Sequence, residues 1–582
     1  MSTPRKIQGT GASNGIAIGR AFVLPHWEWS LPDHKKNVTD LATELERLYE
    51  GIQNSKREIM HMKHEIAGYI GEQDSNIFDA HLAILDDPVF MNEIQGIIQR
   101  QSKAAEVAVK EVVDKFVNMF DLLDDQYMKE RALDIKDVGN RLLKHLIGTP
   151  DLKLPNDHRP IILVAKEISP SQLVHMNPSL VLGIVTMAGG STSHAAIMAR
   201  ALNIPLVIGL EGKLSEFIET GDTLILDGKS GEVFINPDSP LLQQYTALKE
   251  QQEQSRERLK SLVSLPTVTT DGEKLNLLVN ITSLKELEPA LANGAEGVGL
   301  FRTEFIYMDR DTWPSEEEQY RIYCEAAAQL KGKPLTIRTL DVGGDKQLDY
   351  LKIPDEENPV LGFRSIRISL MHKEPFKTQM RAILRAGVCG KVRVMFPMVS
   401  SLEQLREAKR ILEEAKKELR AEQVPFDENL QVGIMVEVPA AAVIADILAE
   451  EVDFFSIGTN DLTQYVLAAD RMNEQVAHLY DPYHPALIRM LAHIVSAAKK
   501  AKIDVGVCGE MAGDPLVLPV WLGLGVKDLS MAVSLMLPWK DEALRASNAE
   551  SRKLFKKIMS CGSGEEIKAE LIRYNTQVGT SR

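Results

Sequence analysis

Residues 454–465 read Phe-Phe-Ser-Ile-Gly-Thr-Asn-Asp-Leu-Thr-Gln-Tyr. A short, mostly apolar run stops at Gly458 and hands over to polar side chains. That is the form of a buried strand whose C-terminal end opens onto a loop. Working outward, the same form recurs. Val432–Val436 runs into Glu437-Val438-Pro439, and Asp504–Val507 runs into Cys508-Gly509-Glu510. With Leu275–Ile281, Gly297–Leu300, Leu335–Leu340, Val392–Phe396 and Val526–Leu529, eight strand candidates alternate with amphipathic segments after residue 267. Eight βα repeats predict a TIM barrel over 267–582, with an open doubly wound sheet as the alternative.

The first half has two textures. Leu41, Leu45, Leu48 and Ile52 recur at helical spacing, further helical stretches fall at about 103–121 and 124–147, and Gly148 is a stop. Residues 37–148 therefore read as an all-helical unit. After it come short apolar strands at Ile161–Ala165, Leu180–Val185, Leu206–Gly209 and Thr223–Asp227, a small α/β domain over 149–239. The segment 1–36, apolar from Ile16 to Val23, completes that domain and makes the helical unit an insertion. Residues 240–266, with Gln-Gln-Glu-Gln-Ser-Arg-Glu-Arg and a closing Pro266, read as a polar linker helix.

A chain of 582 residues exceeds what one core supports. Its net charge of −15 argues against a nucleic-acid binder, and no apolar run approaches a membrane span. The four cysteines, Cys324, Cys389, Cys508 and Cys561, fit neither a disulfide framework nor a metal motif. A reducing, cytoplasmic setting is the expectation.

A barrel puts its chemistry at the C-terminal strand ends. There the sequence places Arg302, Arg338, Glu437, Asn460, Asp461, Arg471 and Cys508, with Arg364 in the loop before the fourth strand. Converging arginine forks grip phosphate and carboxylate, which implies a small polyanion. Glu437 and Asp461 offer hard oxygen ligands for Mg²⁺. Cys508 is either a buried apolar residue or a proton donor to a carbanion, and Glu510 could tune it. Upstream, Gly-Gly-Ser-Thr-Ser-His-Ala-Ala-Ile-Met-Ala-Arg at 189–200 delivers His194 to a helix start beside Thr192 and Ser193. Helix starts favour anions, so His194 is either a capping residue or a carrier of a phosphoryl group.

Together, the His194 stretch, Gly-Leu-Phe-Arg-Thr-Glu-Phe at 299–305, Asn-Pro-Val-Leu-Gly-Phe-Arg at 358–364, Met-Val-Glu-Val-Pro at 435–439, the 456–465 stretch and Val-Cys-Gly-Glu-Met-Ala-Gly at 507–513 resemble the Enzyme I family of the bacterial phosphotransferase system. The resemblance covers essentially the whole chain in the family's motif order. It implies a multidomain α/β architecture. A phosphohistidine domain (1–36 and 149–239) carries an inserted helical domain (37–148) that docks the histidine phosphocarrier HPr. The linker helix (240–266) leads to a phosphoenolpyruvate-binding TIM barrel (267–582) that forms homodimers. It implies His194 as the phosphorylated residue. Arg302, Arg338, Arg471 and Asn460 then contact phosphoenolpyruvate, Glu437 and Asp461 hold Mg²⁺, and Cys508 protonates the enolate to give pyruvate. Ser191 stands where some members carry Arg. Because His194 lies outside the barrel segment, a swivel about the linker is expected.

Two readings compete. Dikinase-type relatives need a large nucleotide-binding domain, whereas the N-terminal 150 residues here carry no P-loop. A nitrogen-related regulatory branch of the family typically has an extra N-terminal sensory domain that is not seen in this sequence, which favours the sugar-transport branch.

Overall fold

The computed structural model describes residues 5–24, 40–75, 77–121, 126–148, 159–166, 168, 180–187, 194–210, 218–308, 310–344, 348, 350–351, 356–473 and 475–580. The chain divides into two compact units, Met1–Gln254 and Ser255–Arg582.

In the first unit, eight strands form one sheet: β1 (Arg5–Gln8), β2 (Thr10–Ser13), β3 (Ile16–Val23), β4 (Ile161–Ala165), β5 (Val181–Thr186), β6 (Leu206–Ile208), β7 (Thr223–Asp227) and β8 (Glu232–Ile235). Their order is β1-β8-β7-β3-β4-β5-β6-β2. The central run β3–β4–β5–β6 is parallel, and antiparallel strands flank it on both sides. Parallel strands need crossovers, and helices supply them. Between β3 and β4 the chain runs through α1 (Leu41–Ser75), α2 (Ile77–Asp86), α3 (Pro88–Gln101), α4 (Ala105–Asp121) and α5 (Gln126–Ile147). Leu48, Ile52, Ile94, Ile98, Val109, Val112 and Leu142 share their core.

The helix α3 was not expected from the sequence. Asp-Asp-Pro at 86–88 ends α2, but it also starts α3. The Asp87 carboxylate accepts the N–H groups of Val89 and Phe90 at 2.7 and 2.9 Å, and Pro88 takes the first turn. Between β5 and β6 lies α6 (His194–Ala201), whose Ala196, Met198 and Ala199 pack with Ile184 of β5 and Leu206 of β6. The unit ends in the polar helix α7 (Ser239–Ser261), which continues into the second unit.

The second unit is a closed parallel barrel of β9 (Asn276–Ile281), β10 (Val298–Phe301), β11 (Leu335–Arg338), β12 (Val392–Phe396), β13 (Gln431–Val436), β14 (Phe454–Ile457), β15 (Asp504–Val507) and β16 (Asp528–Met531). β16 pairs with β9, which excludes the open-sheet alternative. Strand alternation sorts the side chains. Phe301, Ile337, Val394, Phe396, Ile434, Val436, Phe455 and Ile457 join the main core with the surrounding helices. Their neighbours Leu300, Met395, Met435 and Phe454 cluster with Cys508 in the interior. By the same alternation Arg338, Glu437 and Cys508 fall on the inner face, at the C-terminal rim.

The cysteine expectation is corrected here. Cys324 and Cys389 form a disulfide across 65 residues of sequence, with their Cα atoms 5.3 Å apart. Cys324 lies on the helix Glu316–Gln329, and Cys389 on the turn that follows the helix Lys373–Ala386. These helices are neighbours on the barrel wall, joined also by Glu316 to Arg381 (2.5 Å) and Arg385 (2.6 Å). Barrel winding brings together cysteines that sequence spacing keeps apart. Among the described residues, no helix is long and apolar enough to cross a membrane.

Candidate active site

Arg338, the last residue of β11, is buried against Met435 with its Nη1 4.0 Å from Sδ. Its Nη2 pairs with Glu304 and its Nη1 with Asp341 at 2.8 Å. Asp341 also meets Arg364 at 3.3 Å, Arg364 reaches Asp461 at 3.8 Å, and Asp461 reaches Arg471 at 3.8 Å. Acid and base therefore alternate along one line through Glu304, Arg338, Asp341, Arg364, Asp461 and Arg471. Burial opposes the charge on Arg338 and Arg364. The carboxylates overcome it and raise both guanidinium pKa values, Glu304 and Asp341 acting first on Arg338 and Asp341 and Asp461 on Arg364.

The line leaves donors over. Nε of Arg338, Nε of Arg364 and Nη1 of Arg471 are buried without a hydrogen-bond partner among the described residues. Buried donors of this kind are costly unless a ligand meets them. Arg302 follows β10 directly, with its N–H on the Ile281 carbonyl (3.0 Å), and forms no ion pair among the described residues. Its charge, with that of Arg338, acts on Cys508.

Glu437 is buried just beyond β13 and accepts the Met398 N–H at 2.7 Å. Burial, then the charges of Asp461 and Asp341, push its pKa up to about 8. A carboxylate held there beside two others calls for a cation. No cluster of three or more metal-ligating side chains occurs among the described residues. Two carboxylates still fit a hard ion that draws its other ligands from water and a bound anion.

Cys508 sits just past β15, buried, with its Sγ 3.7 Å from the Ile457 carbonyl. Burial pushes its thiol up to about 11, so it is protonated at neutral pH. Glu510, two residues on, clamps Asn460: the Glu510 N–H donates to Asn460 Oδ1 at 2.7 Å, and Asn460 Nδ2 donates to Glu510 Oε1 at 2.9 Å. The intervening Gly509 is tight, because a Cβ there would lie 2.0 Å from Thr459 Oγ1.

In the first unit, His194 is the first residue of α6. Ser191, Thr192, Ser193 and the His194 side chain lie outside the described residues.

The chain matches the models of PEP-utilising enzymes in three stretches: the N-terminal domain over 8–131, the mobile domain over 158–231 and the PEP-binding domain over 256–547. It is 44% identical to the phosphoenolpyruvate-protein phosphotransferase of Geobacillus stearothermophilus, over 97% of each chain. The chain belongs to the phosphoenolpyruvate-protein phosphotransferase family. The phosphoenolpyruvate-protein phosphotransferase of Bacillus subtilis (strain 168) is 43% identical, covering 97% of this chain and 99% of its own. The solution structure of an Enzyme I protein is 33% identical, with a TM-score of 0.35 over 42% of this chain and 99% of its own.

In this member of the phosphoenolpyruvate-protein phosphotransferases, three residues of the mouth escaped the sequence reading as partners. Glu304 stands inside the Gly-Leu-Phe-Arg-Thr-Glu-Phe motif, where a charge in an apolar context was the available signal. Asp341 directly follows the predicted strand Leu335–Leu340, where nothing local marks its pairing with two arginines. Tyr465, whose Oη accepts from Arg364 at 3.3 Å and donates to the Val360 carbonyl at 2.7 Å, closes the 456–465 motif, but its partners lie about 100 residues upstream.

Proposed function

We propose that the barrel mouth binds phosphoenolpyruvate and that His194 takes its phosphoryl group. The alternating line of arginines and carboxylates carries this reading, because each of its arginines keeps a donor for a ligand. Three fixed guanidinium groups, with Arg302 and Asn460 at the rim, suit an anion that bears both a carboxylate and a phosphate.

Glu437 and Asp461 would hold Mg²⁺, which when bound supplies neutralising charge beside the phosphoryl oxygens. Neutral His194 attacks phosphorus through Nε2. The bond from phosphorus to the enol oxygen breaks, and enolpyruvate leaves. The Cys508 thiol gives its proton to the terminal carbon, which completes pyruvate, and the thiolate regains a proton from water. A thiol kept protonated by burial suits that role.

The phosphohistidine then passes its phosphoryl group to HPr docked on the helices α1–α5, the first step of sugar uptake. The active form is a cytoplasmic homodimer joined through the barrel. The test is direct. Phosphoenolpyruvate with Mg²⁺ should leave a base-stable, acid-labile phosphate on the wild-type chain and none on His194→Ala. Equal labelling of the two would refute the assignment. Offering the labelled chain HPr beside a nitrogen-branch carrier identifies the acceptor.

A further inference from the structure

Behind the mouth, on the barrel wall, a buried amide joins the two strand ends that carry Arg302 and Arg338. Gln379 belongs to the helix Lys373–Ala386 and is 1% exposed. Its Oε1 accepts the Leu340 N–H at 3.1 Å. Its Nε2 donates to Thr303 Oγ1 at 3.2 Å and to Tyr323 Oη at 3.2 Å. Thr303 Oγ1 in turn donates to the Arg338 carbonyl at 2.9 Å. Thr303 is the residue after Arg302, and Leu340 precedes Asp341. One side chain thus fixes the first residues beyond β10 and β11 relative to each other.

The network continues without a break. Tyr323 donates to Gln319 Oε1 at 3.2 Å, Tyr307 donates to the same oxygen at 2.8 Å, and Gln319 Nε2 donates to the Pro314 carbonyl at 3.2 Å. Thr303, Gln319, Tyr307 and Tyr323 are all buried. Tyr307, Trp313, Leu340, Ile368 and Phe376 line the small space beside Gln379. In apolar surroundings a satisfied polar network specifies one geometry, and a broken one is not cheaply repaired by water.

We propose that Gln379 is a positioning residue that sets the spacing of Arg302 and Arg338, and with it the fit of the anion. The proposal rests on the reading of these two arginines as phosphoenolpyruvate ligands. Among the described residues, Gln379 bonds to no charged group of the mouth itself. Its effect passes through Thr303 and through the Leu340 backbone, two residues from Arg338.

The test uses the full chain and three variants. Gln379→Met keeps the length and volume of the side chain but loses every hydrogen bond, Thr303→Val removes the link on the β10 side, and the third combines them. For Gln379→Met, kcat/KM for phosphoenolpyruvate should fall about 10-fold or more, much of it in KM, since small displacements of binding groups carry large rate costs. Thr303→Val should show a similar loss, and the double variant little further loss, because both cut the same link. Back-transfer from phosphorylated HPr to His194 should match wild type in all three. A lowered melting temperature with unchanged KM and kcat/KM would overturn the proposal, as would losses that multiply in the double variant. Should wild type itself take no phosphate from phosphoenolpyruvate, the functional reading fails, an outcome distinct from a failure of Gln379.

Discussion

At the barrel mouth, Arg338 draws ion-pair partners from two strand ends, and the candidate groups come from residues 302 to 508. In the first unit, the candidate chemistry rests on one histidine at the head of an eight-residue helix. The mouth has to fix several charges at set distances. Buried ion pairs and an internal amide do this, and the residues involved lie far apart in the chain. The helix head needs one nucleophile, placed at the first residue of α6. A distributed site should fail by degrees when one member is lost, whereas a site of one residue should fail outright.

Four substitutions probe that contrast, from the greatest effect to the least. His194→Ala should abolish phosphate transfer to any carrier while leaving the affinity of the barrel for phosphoenolpyruvate intact by calorimetry. Any carrier phosphorylation above background would break the contrast. Arg338→Met should lower kcat/KM by roughly 10³-fold, the scale seen when one fixed donor to a reacting oxyanion is removed. It should also cost about 3 kcal/mol of barrel stability in denaturant titration, because Glu304 and Asp341 lose their shared partner.

Cys508→Ala should cut pyruvate formation by about 10²-fold with little change in KM, as expected for a lost proton donor. In the wild type, the Cys508-dependent part of kcat should hold at neutral pH. It should fall as the pH rises through about 11, where the thiol loses the proton it must give. A pH–rate profile of the two proteins checks this. Asp87→Ala, by contrast, should cost about 1 kcal/mol in the helical part alone, through the lost cap of α3, and leave pyruvate formation unchanged.

The barrel was legible because each strand is a short apolar run that stops at a polar residue. The predicted Val392–Phe396, Phe454–Ile457 and Asp504–Val507 coincide with β12, β14 and β15. The short β8 was missed because four residues beyond a tight turn carry too little pattern. The helix α3 was missed because one aspartate-proline pair serves both as a stop and as a start.

At the mouth, Arg302 and Arg338 announced themselves as charges at strand ends, but Glu304 and Asp341, the partners of Arg338, did not. Glu304 lies 34 residues from Arg338, and Gln379 lies 39 residues from Leu340. Such pairs exist only once the barrel has closed, and local periodicity carries no trace of them. The clamp between Asn460 and Glu510, 50 residues apart, is of the same kind.

The disulfide between Cys324 and Cys389 encloses Arg338, Asp341 and Arg364 within one covalent loop. A protease that cuts any single peptide bond inside that loop would leave the two fragments tethered. They would run as one band on a denaturing gel and part only when a reductant is added. The central arginines of the mouth therefore sit in a stretch of chain that can be nicked without being lost.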